Sequence, residues 1–248
     1  MYIYVIITEK EEYCKTGPGA GHGRVKARLE QISGDRCMIV PFEEFGPDMV
    51  AELNPRAIVV SGYSKPLEDF DVESFYGLDD VLHHADIPAI GLCGGHQLFA
   101  YFFNGSIREM ARLADQPMRK LDPLEDTPRH VSYHPDFFYA NGVYPVFKVK
   151  EDPIFEGLPE VMYMQCWHYC EVKRLPESFE LLAKTGHCGI EAMKHRTKPI
   201  YGVQFHPEAY EDPFFDGRTL LGNFVKITER FWNEGGSYEH TGSGRASR

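Results

Sequence analysis

The sequence predicts an α/β fold, an open and mostly parallel sheet flanked by helices, on three observations. Short apolar runs recur through the first hundred residues, spaced so that a helix fits between successive runs. Two of them, Ala57-Ile58-Val59-Val60 and Ala89-Ile90-Gly91-Leu92, are apolar without alternation, as in strands covered on both faces. The second runs directly into Cys93-Gly94-Gly95 and a helical stretch, the pattern of a tight strand-to-helix turn, or nucleophile elbow.

Taken in order, the β-branched and aromatic run Tyr2–Thr8 predicts a first strand, and Gly17-Pro-Gly-Ala-Gly-His-Gly23 a flexible connector. Its glycines miss the G-x-G-x-x-G spacing, and no G-K-[ST] follows, so no dinucleotide or phosphate loop is expected. A helix over Arg24–Ile32, a strand over Cys37–Phe42 and a short helix over 47–53 precede the strand at 57–62. A helix ending at Asp79–His84 leads to the strand at 89–93 and a helix over His96–Phe103. Such alternation implies parallel strands joined by right-handed crossovers. The stretch at about 104–150, with prolines at 117, 123, 128, 135 and 145, breaks the rhythm and is expected to be an insertion with short strands. Strands return at Val161–Gln165, Glu180–Lys184, Ile190–Lys194 and Ile200–Phe205, and a helix over Arg218–Trp232 closes the fold. Residues 1–233 are expected to form one domain, and 234–248, rich in Gly and Ser, a disordered tail.

The 248 residues are 43% hydrophobic and 13% aromatic, enough to form a core and to exclude disorder as the main state. A net charge of −11 argues against nucleic acid and anionic membrane as partners. No apolar run approaches the 18 or so residues of a membrane span, and the first residues read as a strand rather than a leader, so a cytoplasmic setting is expected. Six cysteines at 14, 37, 93, 166, 170 and 188 are then reduced thiols. His83-His84 and His130…His134 stand alone, and Cys166-x-x-x-Cys170 lacks a second pair, so the spacing points to no metal and no cofactor.

One thiol differs from the rest. Cys93 ends a buried strand with glycines on both sides, at a helix N-terminus whose dipole and unpaired amides favour negative charge. The amide of Gly94 is placed to donate to a developing oxyanion. Far along the chain, Val203-Gln204-Phe205-His206-Pro207-Glu208 puts a histidine just past a strand with an acid two residues on. A thiol nucleophile needs such a base, and the base an orienting acceptor.

Gly91-Leu92-Cys93-Gly94-Gly95-His96-Gln97 together with Gly202–Glu208 resembles the class I (triad) glutamine amidotransferases, whose fold is flavodoxin-like. Ser61-Gly62 stands in the place of that family's glycine-rich oxyanion strand. Asp152–Pro159, Trp167-His168 and Leu175–Phe179 follow in the family's order. The resemblance implies Cys93 as nucleophile, His206 as general acid and base, and Glu208 as its orienter. It implies an oxyanion hole of the Gly62 and Gly94 amides, and substrate contacts from Gln97, Trp167, His168 and Tyr63. Two departures stand out: Tyr63-Ser64 replace a glycine and proline, and Tyr169-Cys170 occupy a stretch where the family carries an acid.

The implied reaction is hydrolysis of the γ-amide of glutamine through a cysteinyl thioester, with ammonia passed to a synthetase on another chain. The alternatives are a stand-alone hydrolase of γ-glutamyl amides or peptides using the same triad, and a catalytically silent binding module. The departures at 63 and 170 favour the first alternative; the complete Cys93, His206 and Glu208 set argues against the second.

Overall fold

A computed structural model of the chain describes residues 1–127 and 133–236. Pro128, His130 and all but three residues of the expected tail lie outside the described residues.

The N-terminal half runs β1 (Tyr2–Ile6), α1 (Lys10–Thr16), α2 (Gly19–Ser33), β2 (Cys37–Pro41), α3 (Pro47–Leu53), β3 (Ala57–Val60), α4 (Tyr76–His84), β4 (Ala89–Leu92) and α5 (Gly94–Asn104). The C-terminal half adds β5 (Ala140–Lys148), β6 (Val161–His168), β7 (Phe179–Lys184), β8 (Ala192–His195), β9 (Ile200–Val203) and α6 (Asp216–Asn233). Among the described residues, all nine strands join one open sheet in the order β2-β1-β3-β4-β9-β8-β7-β5-β6. The five from β2 to β9 are mutually parallel; beyond them every pairing is antiparallel, so only β8 and β5 point the other way.

Alternation along β1 divides the core between the two faces of the sheet. Tyr2, Tyr4 and Ile6 join Leu29 of α2 and Leu220 and Phe224 of α6, whereas Ile3 and Val5 join Val50, Leu78, Leu98 and Phe99 from α3, α4 and α5. Both faces are therefore covered by helices, which is why these strands lack polar residues.

Three elements differ from the sequence expectation, of which α1, a short helix with no buried residue, has no counterpart in it. The glycine-rich connector is largely helical: Gly17, at φ 68°, closes α1, and α2 begins at Gly19. Its weak helix formers are held by tertiary contacts further along, with Val25, Leu29 and Ile32 on the core and the Tyr4 hydroxyl 2.9 Å from Nδ1 of His22. The segment at 104–150 ends in β5, a nine-residue strand whose Asn141, Gly142 and Pro145 conceal it from propensity. Register with β6 over the range Ala140↔His168 to Phe147↔Val161 supplies its order, and β7 pairs only with Phe147 and Lys148. Pro145 therefore lies where one edge of the strand has no neighbour.

Among the described residues all six cysteines are free thiols, and no helix is long and apolar enough to cross a membrane.

Candidate active site

The site forms where β3, β4 and β9 end side by side, the edge at which α/β sheets gather ligands. Cys93 caps α5 with φ 51° and ψ −106°, a conformation an L-residue adopts at a cost. The geometry holds because the turn has no room to relax. A Cβ on Gly95 would lie 2.6 Å from the carbonyl oxygen of Val60, and one on Gly94 would strike the Tyr63 ring. The Cys93 amide donates to the Val203 carbonyl at 2.8 Å, tying the turn to β9.

His206 leaves β9 two residues after Gln204, and its amide donates to the Gln165 carbonyl of β6 at 2.7 Å. Pro207 opens a short 3-10 turn that brings Glu208 back, so Nδ1 of His206 donates to Oε1 of Glu208 at 2.7 Å. Cys93 and His206 border the same cavity, and the Cys93 side chain is among the groups that act on the imidazole. Burial opposes charge on His206, but the Glu208 carboxylate and the neighbouring Cys93 side chain outweigh it and raise its pKa well above the ordinary 6.5. The sulfur has two further neighbours at 3.7 Å: the Trp167 carbonyl and the donating Nε2 of Gln204. The Trp167 ring, 46% exposed, stands 5.3 Å from the His206 ring, centroid to centroid.

These groups open on a cavity of about 540 Å³ bordered by Gly62, Tyr63, Cys93, Trp167, His206 and Glu208. The cavity continues to the start of α2, where His22, Arg24 and Arg28 line it. Arg28 also donates to the Glu208 carbonyl and lies 4.1 Å over the Tyr210 ring, bracing the turn that carries Glu208.

A polar network lies behind the cavity wall. The Tyr63 hydroxyl donates to Oε1 of Gln97 and reaches Oδ1 of Asp115 at 2.9 Å. The other oxygen of Asp115 accepts from the Leu67 amide at 3.1 Å and the Tyr133 hydroxyl at 2.9 Å. Burial raises the Asp115 carboxyl pKa, against the opposing effect of these donors. Gln97 donates to the Cys170 carbonyl at 3.0 Å and to Oε1 of Gln204 at 3.1 Å. Tyr63 and Cys93 are thus linked through Gln97 and Gln204.

The structure brings Cys93, His206 and Glu208 into one line and sets Gly62 beside it; a Cβ on Gly62 would lie 3.4 Å from the Gly94 nitrogen and 3.7 Å from the Cys93 sulfur. Tyr63 and Trp167 border the cavity, whereas the side chains of Gln97 and His168 do not. Gln97 is buried in the network behind Tyr63, and the His168 ring is buried on the far side of β6. Sequence reasoning gave Gln204 and Asp115 no role. Gln204 could have been found as the inward-facing residue two before His206; Asp115 sits in an irregular segment without any motif. A second Cys/His/Glu set, Cys166, His168 and Glu191, is sealed within the protein and does not open on the cavity.

The profile of the class I glutamine amidotransferase family matches residues 30–227. The chain is 34% identical to a glutamine-hydrolyzing GMP synthase subunit from Methanocaldococcus jannaschii over 204 residues, 82% of this chain and 90% of that one. The subunit of the same name from Methanosphaera stadtmanae is 29% identical over 213 residues, 86% and 95% of the two chains. In fold the chain is similar to the CTPS glutaminase domain of Trypanosoma brucei, with a TM-score of 0.66, 17% identity and coverage of 92% and 94%.

Proposed function

Because the chain belongs to the class I glutamine amidotransferases, we propose that it hydrolyses the γ-amide of glutamine through a thioester on Cys93 and supplies the ammonia to a synthetase on a separate chain. The observation that carries the reading is the Cys93–His206–Glu208 line, set on a strained turn at the edge of a cavity. Similarity along nearly the full length of glutamine-hydrolyzing GMP synthase subunits supports a partner chain of the synthetase kind.

The steps follow from the groups present. The Cys93 sulfur attacks the γ-carbonyl carbon, and the oxygen takes up negative charge beside the Gly62 and Gly94 amides. His206, charged at rest, gives its proton to the departing nitrogen; the C–N bond breaks, and ammonia and a γ-glutamyl thioester remain. Neutral His206 then takes a proton from water as the water oxygen attacks the thioester. Collapse of that second intermediate breaks the C–S bond and releases glutamate. Glu208 keeps the imidazole oriented and its charge balanced throughout. Trp167 and Tyr63 wall the substrate; Gln97, Gln204 and His168 hold the elements behind it. The catalytic domain in this reading spans residues 1–233. An active thiol among six free ones fits a reducing, cytoplasmic compartment.

One observation favours a second reading, a stand-alone γ-glutamyl hydrolase: the cavity runs past the triad to His22, Arg24 and Arg28, which could receive an acidic extension of a larger substrate. Release of ammonia and glutamate from glutamine, compared with cleavage of γ-glutamyl peptides, separates the two, with Cys93→Ala as control. Glutamine turnover that rises when a synthetase chain is added is expected. Peptide cleavage by the isolated chain that exceeds glutamine turnover would replace the first reading with the second.

A further inference from the structure

The strand that lends the Trp167 carbonyl to Cys93 has a second, inward face. Cys166 and His168 flank Trp167 on β6 and point into the interior, where they meet Glu191 at the start of β8. A donor atom from each of the three lies within 4.8 Å of the others. Cys166 and Glu191 are 0% exposed and His168 is 3% exposed.

This pocket holds polar atoms without a protein partner among the described residues. Nε2 of His168, Oε2 of Glu191 and Nε2 of the adjacent His187 are all buried and unpaired. His187 Nε2 lies 3.9 Å from Oε1 of Glu191. Each such atom carries a desolvation penalty if left alone. The opposite atoms of the same side chains are engaged. His168 donates from Nδ1 to the Cys170 carbonyl at 3.0 Å, which fixes a tautomer with the Nε2 lone pair directed inward. Oε1 of Glu191 accepts from the Thr185 hydroxyl at 3.0 Å, and that hydroxyl accepts from the Cys188 amide at 2.9 Å. Outer hydrogen bonds that orient free donor atoms towards one point are the usual support of a metal centre.

We propose that Cys166, His168 and Glu191 bind a zinc ion that fastens β6 to the β7–β8 turn, with His187, beside Glu191, swinging in as the fourth ligand. The mixed sulfur, nitrogen and carboxylate donors suit zinc, whereas magnesium and calcium take oxygen throughout. One thiolate and one carboxylate cancel the charge of a dication, so the buried unit is neutral and the charges are paired. Zinc bonds of about 2.0–2.3 Å put tetrahedral ligands roughly 3.3–3.8 Å apart, so the widest spacing among Cys166, His168 and Glu191 has to close by about 1 Å and His187 has to move further. With Glu191 and His187 both anchored near Thr185, the ion would hold the far side of the strand whose carbonyl meets the nucleophile.

Metal analysis of the full-length protein tests this. Purified from zinc-supplemented cells and dialysed, the protein should retain about one zinc per chain, and a strong chelator should lower its melting temperature. Cobalt(II) loaded into the chelated protein should give the intense near-ultraviolet band of a thiolate ligand, and Cys166→Ala should lose it while Cys93→Ala keeps it. His187→Ala, at the more open side of the cluster, should fold normally and bind zinc more weakly. No zinc above the blank, with a melt unmoved by zinc or chelator, would overturn the proposal and leave a metal-free polar core. Full zinc retention in a folded Cys166→Ala protein would also overturn it.

Discussion

At the scale of single residues, His206 carries the proposed chemistry. Burial works against its charge, but the Glu208 carboxylate and the Cys93 sulfur hold the imidazolium to a pH well above the ordinary 6.5. The proton that leaves with ammonia is therefore present at neutral pH and is lost as pH rises through that elevated value. The alkaline limb of kcat/KM then reports the coupled Cys93–His206 pair. Glu208→Gln removes one of the charges that raises the limb, so the limb should shift to lower pH and kcat should fall by roughly 10²–10⁴-fold. A profile with an unmoved alkaline limb would show that Glu208 does not govern His206. Tyr63 makes a separate contribution, because its hydroxyl joins Gln97 to the buried Asp115. Tyr63→Phe removes the hydroxyl that donates to Gln97 and meets Asp115, a loss of about 1–3 kcal/mol that a denaturant midpoint will register. An unchanged midpoint would mean that the network does not depend on this hydroxyl.

At the scale of elements, the turn from β4 to α5 fixes the proposed nucleophile, Cys93, through close packing against β3. A Cβ on Gly95 would sit 2.6 Å from the Val60 carbonyl oxygen, an atom of the sheet that cannot swing aside. Gly95→Ala should therefore push α5 away, destabilise the protein by about 1–3 kcal/mol and lower kcat, as unfolding and steady-state assays would show. Wild-type stability and turnover in that variant would contradict the tight elbow. The same turn was legible in the sequence because a continuous apolar run, a cysteine and two glycines carry local geometry on their face. β5 was not legible: its Asn141, Gly142 and Pro145 are poor strand residues, and its order comes from pairing with β6, about twenty residues further on. α2 was misjudged at its start for a related reason, since its glycines are held helical by contacts that its later residues make with the core.

At the scale of the whole molecule, the site exists because β3, β4 and β9 are neighbours although residues 62, 93 and 206 are distant in sequence. Sequence order could name Cys93, His206 and Glu208 by chemical type and by resemblance, but the cavity that joins them to α2 depends on how α2 and β9 pack. Asp115 was invisible for the same reason, because it comes from an irregular segment and acquires its role only when folded against Tyr63 and Tyr133. The same dependence on packing explains why His168, next to Trp167, and Gln97, one helical turn after Cys93, have side chains turned away from the cavity. All of these features converge on a single sulfur. Incubation with acivicin, a glutamine analogue that alkylates thiols, followed by peptide mapping tests that convergence directly. One adduct per chain at Cys93, formed in step with loss of glutamine hydrolysis and slowed by glutamine, is the expected result. No adduct at Cys93, or an adduct on any of the other five cysteines accompanied by loss of turnover, would contradict it.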